Sequence, residues 1–136
     1  MKGKLLFDAS SLIYALKLKN IDILNENYIQ HLTIYEAINA IWKETHLIKS
    51  LPPKKAVELI KLATEIIGNL NILSIHQYEP EIFKKATELD LTIYDASYIV
   101  LAEKNKLTLV TEDKKLARKA HNTIKTTSLK NIIKTQ

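Results

Sequence analysis

The sequence predicts an α/β domain with a central parallel sheet and helices on both faces. Short β-like stretches alternate with stretches of helical period along the chain. The length, 136 residues, suits one domain of common size. No low-complexity tract or linker divides the chain, so a single domain over residues 1–136 is expected.

Lys4 to Phe7 reads as a short buried strand ending at Asp8, and Ser10 to Leu18 as the first helix. Tyr28 to Leu32 is a second strand, after which Thr33 opens a helix to about Lys49. Pro53 stands at a favoured helix start. Behind it Ala56, Val57, Ile60, Ala63, Ile67 and Leu70 recur at helical spacing. Asn71 to Ile75 is β-like, and Pro80 to Leu89 is a shorter helix. Thr92 opens a helix whose stretch Ala96 to Ala102 is nearly all apolar, which predicts burial on most sides. Leu107 to Val110 is a strand, Lys114 to Ala120 a helix, Ile124 to Thr126 a last strand, and Ser128 starts a final short helix.

Composition narrows the function classes. Hydrophobic residues make up 46% and charged residues 26%, enough to bury one core without disulfides. The absence of cysteine removes thiol catalysis and cysteine-ligated zinc. No signal peptide or membrane span is visible, so a cytoplasmic protein with no membrane partner is expected. The formal charge is +5, and 19 of the 20 basic residues are Lys, the exception being Arg118. From Lys104 to Gln136 nine basic residues face only Glu112 and Asp113, a local balance of +7. Such a surface suits a polyanion, RNA or DNA first and an anionic membrane second. A Lys-rich solvated face explains the charge equally well.

Four acids stand where chemistry collects in a parallel α/β sheet, beyond the carboxyl ends of the strands. Asp8 and Asp113 follow expected strands. Glu36 and Asp95 lie in two similar segments, Thr33-Ile34-Tyr35-Glu36-Ala37 and Thr92-Ile93-Tyr94-Asp95-Ala96, each ahead of an apolar helical stretch. Taken singly, each acid is better explained as a helix cap or a dipole partner than as a ligand. Caps do not explain the joint arrangement. Converging carboxylates repel one another unless they take up protons or a cation. Hard oxygen donors suit Mg²⁺ or Mn²⁺ better than zinc. With these four acids assigned to a metal, the remaining charge rises from +5 to +9. A negative pocket in a positive field suits a metal ion plus a nucleic-acid backbone. His31, His46, His76 and His121 form no pair at metal spacing, and the glycines of phosphate loops and nucleophile elbows are missing.

The segments Leu5-Leu6-Phe7-Asp8-Ala9-Ser10, Leu32-Thr33-Ile34-Tyr35-Glu36-Ala37-Ile38-Asn39, Tyr94-Asp95-Ala96-Ser97-Tyr98 and Leu109-Val110-Thr111-Glu112-Asp113 together resemble the PIN-domain family. They are most similar to the VapC-type toxin ribonucleases of toxin–antitoxin systems. The resemblance implies a Mg²⁺- or Mn²⁺-dependent endoribonuclease acting on single-stranded or loop RNA. It makes Asp8, Glu36 and Asp95 the core acids and Asp113 the fourth, with Glu112 a candidate substitute for Asp113. Ser10 and Thr111 match supporting hydroxyls, and Asn39 would stand behind Glu36 or serve only as a polar helix residue. Water would attack in line and leave 5′-phosphate and 3′-hydroxyl ends, with Lys residues of the 104–136 region guiding the backbone. The implied partners are a small cognate antitoxin and a second copy of the chain in a homodimer. Trp42, Tyr14 and Tyr35 are candidate anchors for them, although core packing is the safer reading of each. Two alternatives stay open: a catalytically silent PIN-like module that binds RNA or a partner, and an RNA-processing nuclease that is not a toxin.

Overall fold

Leu5, Leu6 and Phe7 have no exposed surface, so the first strand is covered on both faces. The computed structural model describes residues 2–135; Met1 and Gln136, the ends of the expected domain, lie outside the described residues. The strands are β1 (Leu5–Phe7), β2 (Tyr28–Gln30), β3 (Asn71–Leu73), β4 (Thr108–Val110) and β5 (Thr126–Thr127). The helices are α1 (Ala9–Lys17), α2 (His31–Trp42), α3 (Pro53–Ile67), α4 (Glu79–Leu89), α5 (Ile93–Asn105), α6 (Lys114–Ala120) and α7 (Leu129–Thr135). All strand pairs are parallel, in the order β3-β2-β1-β4-β5. The expected parallel sheet is therefore present, with β1 at its centre.

The alternation of side chains along β1 divides the core. Leu5 and Phe7 pack with Leu12 and Leu16 of α1, Ala63 of α3 and Ile132 of α7. Leu6 joins Tyr98 and Leu101 of α5 and Leu116 of α6 on the other face. The stretch Ala96 to Ala102 is buried throughout, as its composition requires. Among the described residues no helix is long and apolar enough to cross a membrane.

Several boundaries differ from the sequence expectation. The second helix opens at His31, not Thr33, because Gln30 is extended and its N–H is accepted by Thr33 Oγ1 at 3.2 Å. That helix ends at Trp42 and passes into a π-helical turn, Lys43–Leu47, before Lys49 takes a left-handed backbone. Trp42 stacks on His46 across this turn, with ring centres 5.1 Å apart. Tyr35 is 76% exposed and Trp42 48%, so the core-packing reading fails for both. Val57 is likewise exposed, since α3 turns Ala56 and Ala63 inward, with Leu59, Leu62, Ile66 and Ile67 partly buried against the core. The last strand is Thr126–Thr127 rather than Ile124 to Thr126. Its backbone meets Leu109 and Val110 there, while Ile124 caps the preceding turn by donating to Ala120.

One buried polar side chain ties the entry of the sheet together. Asn27 Oδ1 accepts from the Lys4 and Leu5 N–H groups at 3.1 and 3.0 Å, and its amide donates to the Ile23 carbonyl at 2.8 Å. Removing it strands backbone donors in the interior, each costing roughly 1–3 kcal/mol. Asn27→Ala should therefore lower the unfolding free energy by about 2 kcal/mol or more in a urea titration. A loss below about 0.5 kcal/mol would show that these bonds are not what fixes the start of β1.

Candidate metal-binding acidic site

Parallel pairing of β1 with β4 sets Phe7 opposite Val110, so the residues that follow, Asp8 and Thr111, leave the sheet side by side. Asp8 is buried and serves as N-cap of α1, accepting the Ser11 N–H on Oδ1 at 3.0 Å. Ser10 Oγ donates to the same oxygen at 2.7 Å, and Thr111 Oγ1 donates to Oδ2. Each hydroxyl in turn accepts from the β4–α6 loop. The Glu112 N–H donates to Ser10 Oγ at 3.1 Å, and the Asp113 N–H to Thr111 Oγ1 at 3.0 Å. Two hydroxyl bridges thus bind the Asp8 carboxylate to the segment that carries Asp113. The expected supporting roles of Ser10 and Thr111 have a geometric counterpart here.

Asp113 is the N-cap of α6, accepting from Lys115 and Leu116 N–H groups at 2.9 and 3.1 Å. Both bonds fall on Oδ1, so Oδ2 is left for another partner. Asp95 occupies the first turn of α5, where its N–H donates to Thr92 Oγ1 at 3.1 Å. Glu36 projects from the second turn of α2 and accepts from the Tyr98 hydroxyl at 2.7 Å. The two similar pentapeptides are therefore placed differently. Thr92 is a helix N-cap, whereas Thr33 is inside its helix and buried, 2.9 Å from the Tyr98 hydroxyl. The Tyr98 proton goes to Glu36, so Thr33 donates to Tyr98 and itself accepts from Gln30.

The acids lie within electrostatic reach of one another. Burial pushes the Glu36 carboxyl above the usual range; the Tyr98 hydrogen bond pulls it back, and the charges of Asp8 and Asp95 raise it further. Burial likewise raises Asp95, helped by Asp113 and Asp8 and opposed by the Lys115 ammonium. Burial also holds the Tyr98 phenol far above its ordinary value, so it stays a neutral donor. Among the described residues, no three Asp, Glu or His side chains close to the spacing that would hold one ion unaided. The donor set nevertheless fits Mg²⁺ or Mn²⁺. These ions accept one or two carboxylates and keep room for water and phosphate oxygens, and the donors here are carboxylate oxygens, with the hydrogen bonds of Glu36 and Asp113 falling on Oε1 and Oδ1.

Two expected residues stand apart. Asn39 is exposed, and the hydrogen bonds that hold the four acids do not include it. Glu112 accepts the Leu129 N–H on Oε1 at 2.7 Å, which fixes the start of α7. Sequence reasoning missed Tyr98 as the partner of Glu36 and Ser11 as a buried bridge to the Val110 carbonyl at 2.7 Å. Tyr98 carried a signal: a phenol in a fully buried apolar helix needs a polar partner.

The profile of the PIN-domain family matches residues 5–122, a span that holds all four acids. Two relatives come from Pyrobaculum aerophilum. Exonuclease VapC9 is 38% identical over 96 residues, covering 71% of this chain and 68% of its own length. Ribonuclease VapC3 is 36% identical over 92 residues, covering 65% of this chain and 66% of its own. The crystal structure of PAE2754 from the same organism superposes with a TM-score of 0.81 at 31% identity, over 99% of this chain and 97% of that one. The chain belongs to the PIN-domain family.

The raised carboxyls make a stability prediction. A carboxyl raised in the folded state binds its proton more tightly there than in the unfolded chain. Its favourable contribution is present at low pH and is lost as pH rises through the folded value. In metal-free protein at pH 7, Glu36→Gln or Asp95→Asn should therefore raise the melting temperature. The gain should shrink as pH falls through the raised folded values and vanish below the ordinary values of 4.5 and 3.8. Both groups are partly exposed, so the screened effect is up to about 1 kcal/mol, or about 2–6 °C at this chain length. Variants that melt lower than wild type at pH 7 would contradict the repulsion.

Proposed function

We propose that this PIN-domain protein is a single-domain, metal-dependent ribonuclease that hydrolyses phosphodiester bonds within single-stranded or loop RNA. The observation that carries the reading is the gathering of Asp8, Glu36, Asp95 and Asp113 at the carboxyl edge of the sheet of a cationic chain. The relatives named exonuclease and ribonuclease support nuclease chemistry.

Asp8, Glu36, Asp95 and Asp113 would hold Mg²⁺ or Mn²⁺. When bound, such an ion supplies positive charge for phosphate oxygens and lowers the pKa of an attacking water. The chain's own residues set the geometry. Ser10 and Thr111 orient the two oxygens of Asp8, and Tyr98 fixes Oε1 of Glu36, leaving Oε2 for the ion. Lys115 faces Asp95 and limits how far its carboxylate is forced towards protonation. Hydrolysis by water leaves 5′-phosphate and 3′-hydroxyl ends, and the 2′-hydroxyl takes no part in the chemistry. RNA preference then rests on fit.

We further propose that the protein is the toxin of a toxin–antitoxin pair, cytoplasmic, blocked by a small antitoxin and paired with a second copy of itself. Tyr35, Ile38 and Trp42 support a protein partner. They follow at three- and four-residue intervals on α2, all are exposed, and the stripe begins beside Glu36.

The test is cleavage of one single-stranded RNA in linear and circular form, and of DNA of the same sequence, with Mg²⁺, Mn²⁺ or EDTA. Wild type should cut both RNA forms, only with metal, and should cut the DNA poorly. Asp95→Asn should lose about 10²-fold or more, the scale on which losing one electrostatic element of a site acts. Tyr98→Phe should lose about 10-fold, as a residue that orients a ligand. Cutting of the linear RNA alone would make the enzyme an exonuclease. Equal cutting by wild type and Asp95→Asn would refute the acidic site, and wild type that binds RNA without cutting would identify a silent module.

A further inference from the structure

A cavity of about 890 Å³ opens between α1, α6 and α7, next to the acids. Thr111 and Asp113 form its wall on the acidic side, so cavity and acidic site share one loop. Lys114, Lys130 and Lys134 stand around it, and Tyr14 and Asn131 contribute to its lining. The Lys130 ammonium lies 5.9 Å from the centre of the Tyr14 ring. Tyr14 packs against the core, so it gives this flexible cation a fixed platform. Glu112 also lines the cavity, with one carboxylate oxygen, Oε1, accepting from the backbone of α7.

The structure sorts the cationic segment of the sequence. Lys115 acts on Asp95, and Lys119 donates to the Asp90 carbonyl at 2.8 Å. Lys114, Lys130 and Lys134 face the cavity instead. The other end of the crevice is different. A slot of about 230 Å³ near β2 and β3, lined by Gln30, His31 and Tyr94 among others, has no Lys, Arg, Asp or Glu in its wall. Along the carboxyl edge of the sheet the order is thus cations beyond β4 and β5, acids at β1 and β4, and an apolar slot at β2 and β3. Lys130 and Lys134 both stand on α7, the last helix of the chain.

We infer that the cavity is a backbone subsite of the nuclease, in which Lys114, Lys130 and Lys134 take phosphates of the RNA nucleotides adjoining the bond to be cut. The RNA then crosses the sheet edge from the β5 side towards β2. Its phosphates meet ammonium groups before the reacting one reaches the carboxylates. Ammonium groups act as point charges that tolerate any base, so the subsite contributes affinity and register without sequence preference. This inference rests on the ribonuclease reading and extends it to the substrate path.

The experiment compares two triple variants of the full chain, each with Asp95→Asn so that the RNA stays whole in Mg²⁺. One carries K114Q, K130Q and K134Q. The other carries K54Q, K55Q and K61Q on the exposed side of α3 and is matched in charge. Binding of a fluorescent single-stranded RNA is measured over a range of NaCl, while the parent with Asp95 intact is assayed for cutting. The cavity variant should bind at least about 10-fold more weakly at low salt. Its slope of log affinity against log salt should fall by about 2, from roughly 0.7 for each phosphate that is no longer neutralised. The α3 variant should stay within about twofold of its parent. Equal losses in both variants, or an unchanged slope in the cavity variant, would overturn the subsite while a parent that cuts RNA preserves the nuclease. A parent that neither binds nor cuts RNA would overturn both.

Discussion

The site depends on one buried carboxylate that has two tasks. Asp8 caps α1 and at the same time receives hydroxyls from both sides, Ser10 on one oxygen and Thr111 on the other. Those hydroxyls also hold the backbone of Glu112 and Asp113. Parallel pairing of β1 and β4 makes this possible, because it delivers Asp8 and Thr111 to the same edge in register. A slip by one residue would turn Leu6 to the wrong face and break both bridges. The core and the site are therefore fixed by the same register.

From this anchor the other acids approach under mutual repulsion. Glu36 and Asp95 arrive on separate helices, are partly buried, and feel Asp8 as a like charge. Folding holds together groups that would separate if they were free. Tyr98 and Lys115 moderate the conflict from opposite sides, one by a hydrogen bond and one by charge. A bound cation would remove it, which is the part the proposed function gives to the metal.

Much of this was legible from residue types. The strand–helix alternation, the buried stretch Ala96 to Ala102 and the positions of Asp8 and Asp113 beyond strands follow from period and composition. The likeness of Thr33-Ile34-Tyr35-Glu36-Ala37 to Thr92-Ile93-Tyr94-Asp95-Ala96 was misleading in one respect. Both read as a Thr cap followed by an acid, yet only Thr92 caps its helix. Gln30, an unusual cap, opens the other helix two residues earlier and leaves Thr33 to bond Tyr98. Local pattern could not distinguish these cases, because the choice is made by a tyrosine more than 60 residues away. Likewise, the exposure of Tyr35 and Trp42 depends on which face of α2 the sheet covers. The separation of Lys114, Lys130 and Lys134 from Lys115 and Lys119 depends on where α7 docks.

A divalent cation held by the four acids, as proposed, would relieve their repulsion and stabilise the fold. The most direct measurement is the melting temperature at pH 7 of wild type and Asp8→Asn across a titration of Mn²⁺, without RNA. Binding to the folded state should raise the wild-type value with concentration, by RT ln(1 + [L]/Kd), and should leave the variant nearly unmoved. A wild-type curve that stays flat to millimolar Mn²⁺, or an equal rise in Asp8→Asn, would contradict it.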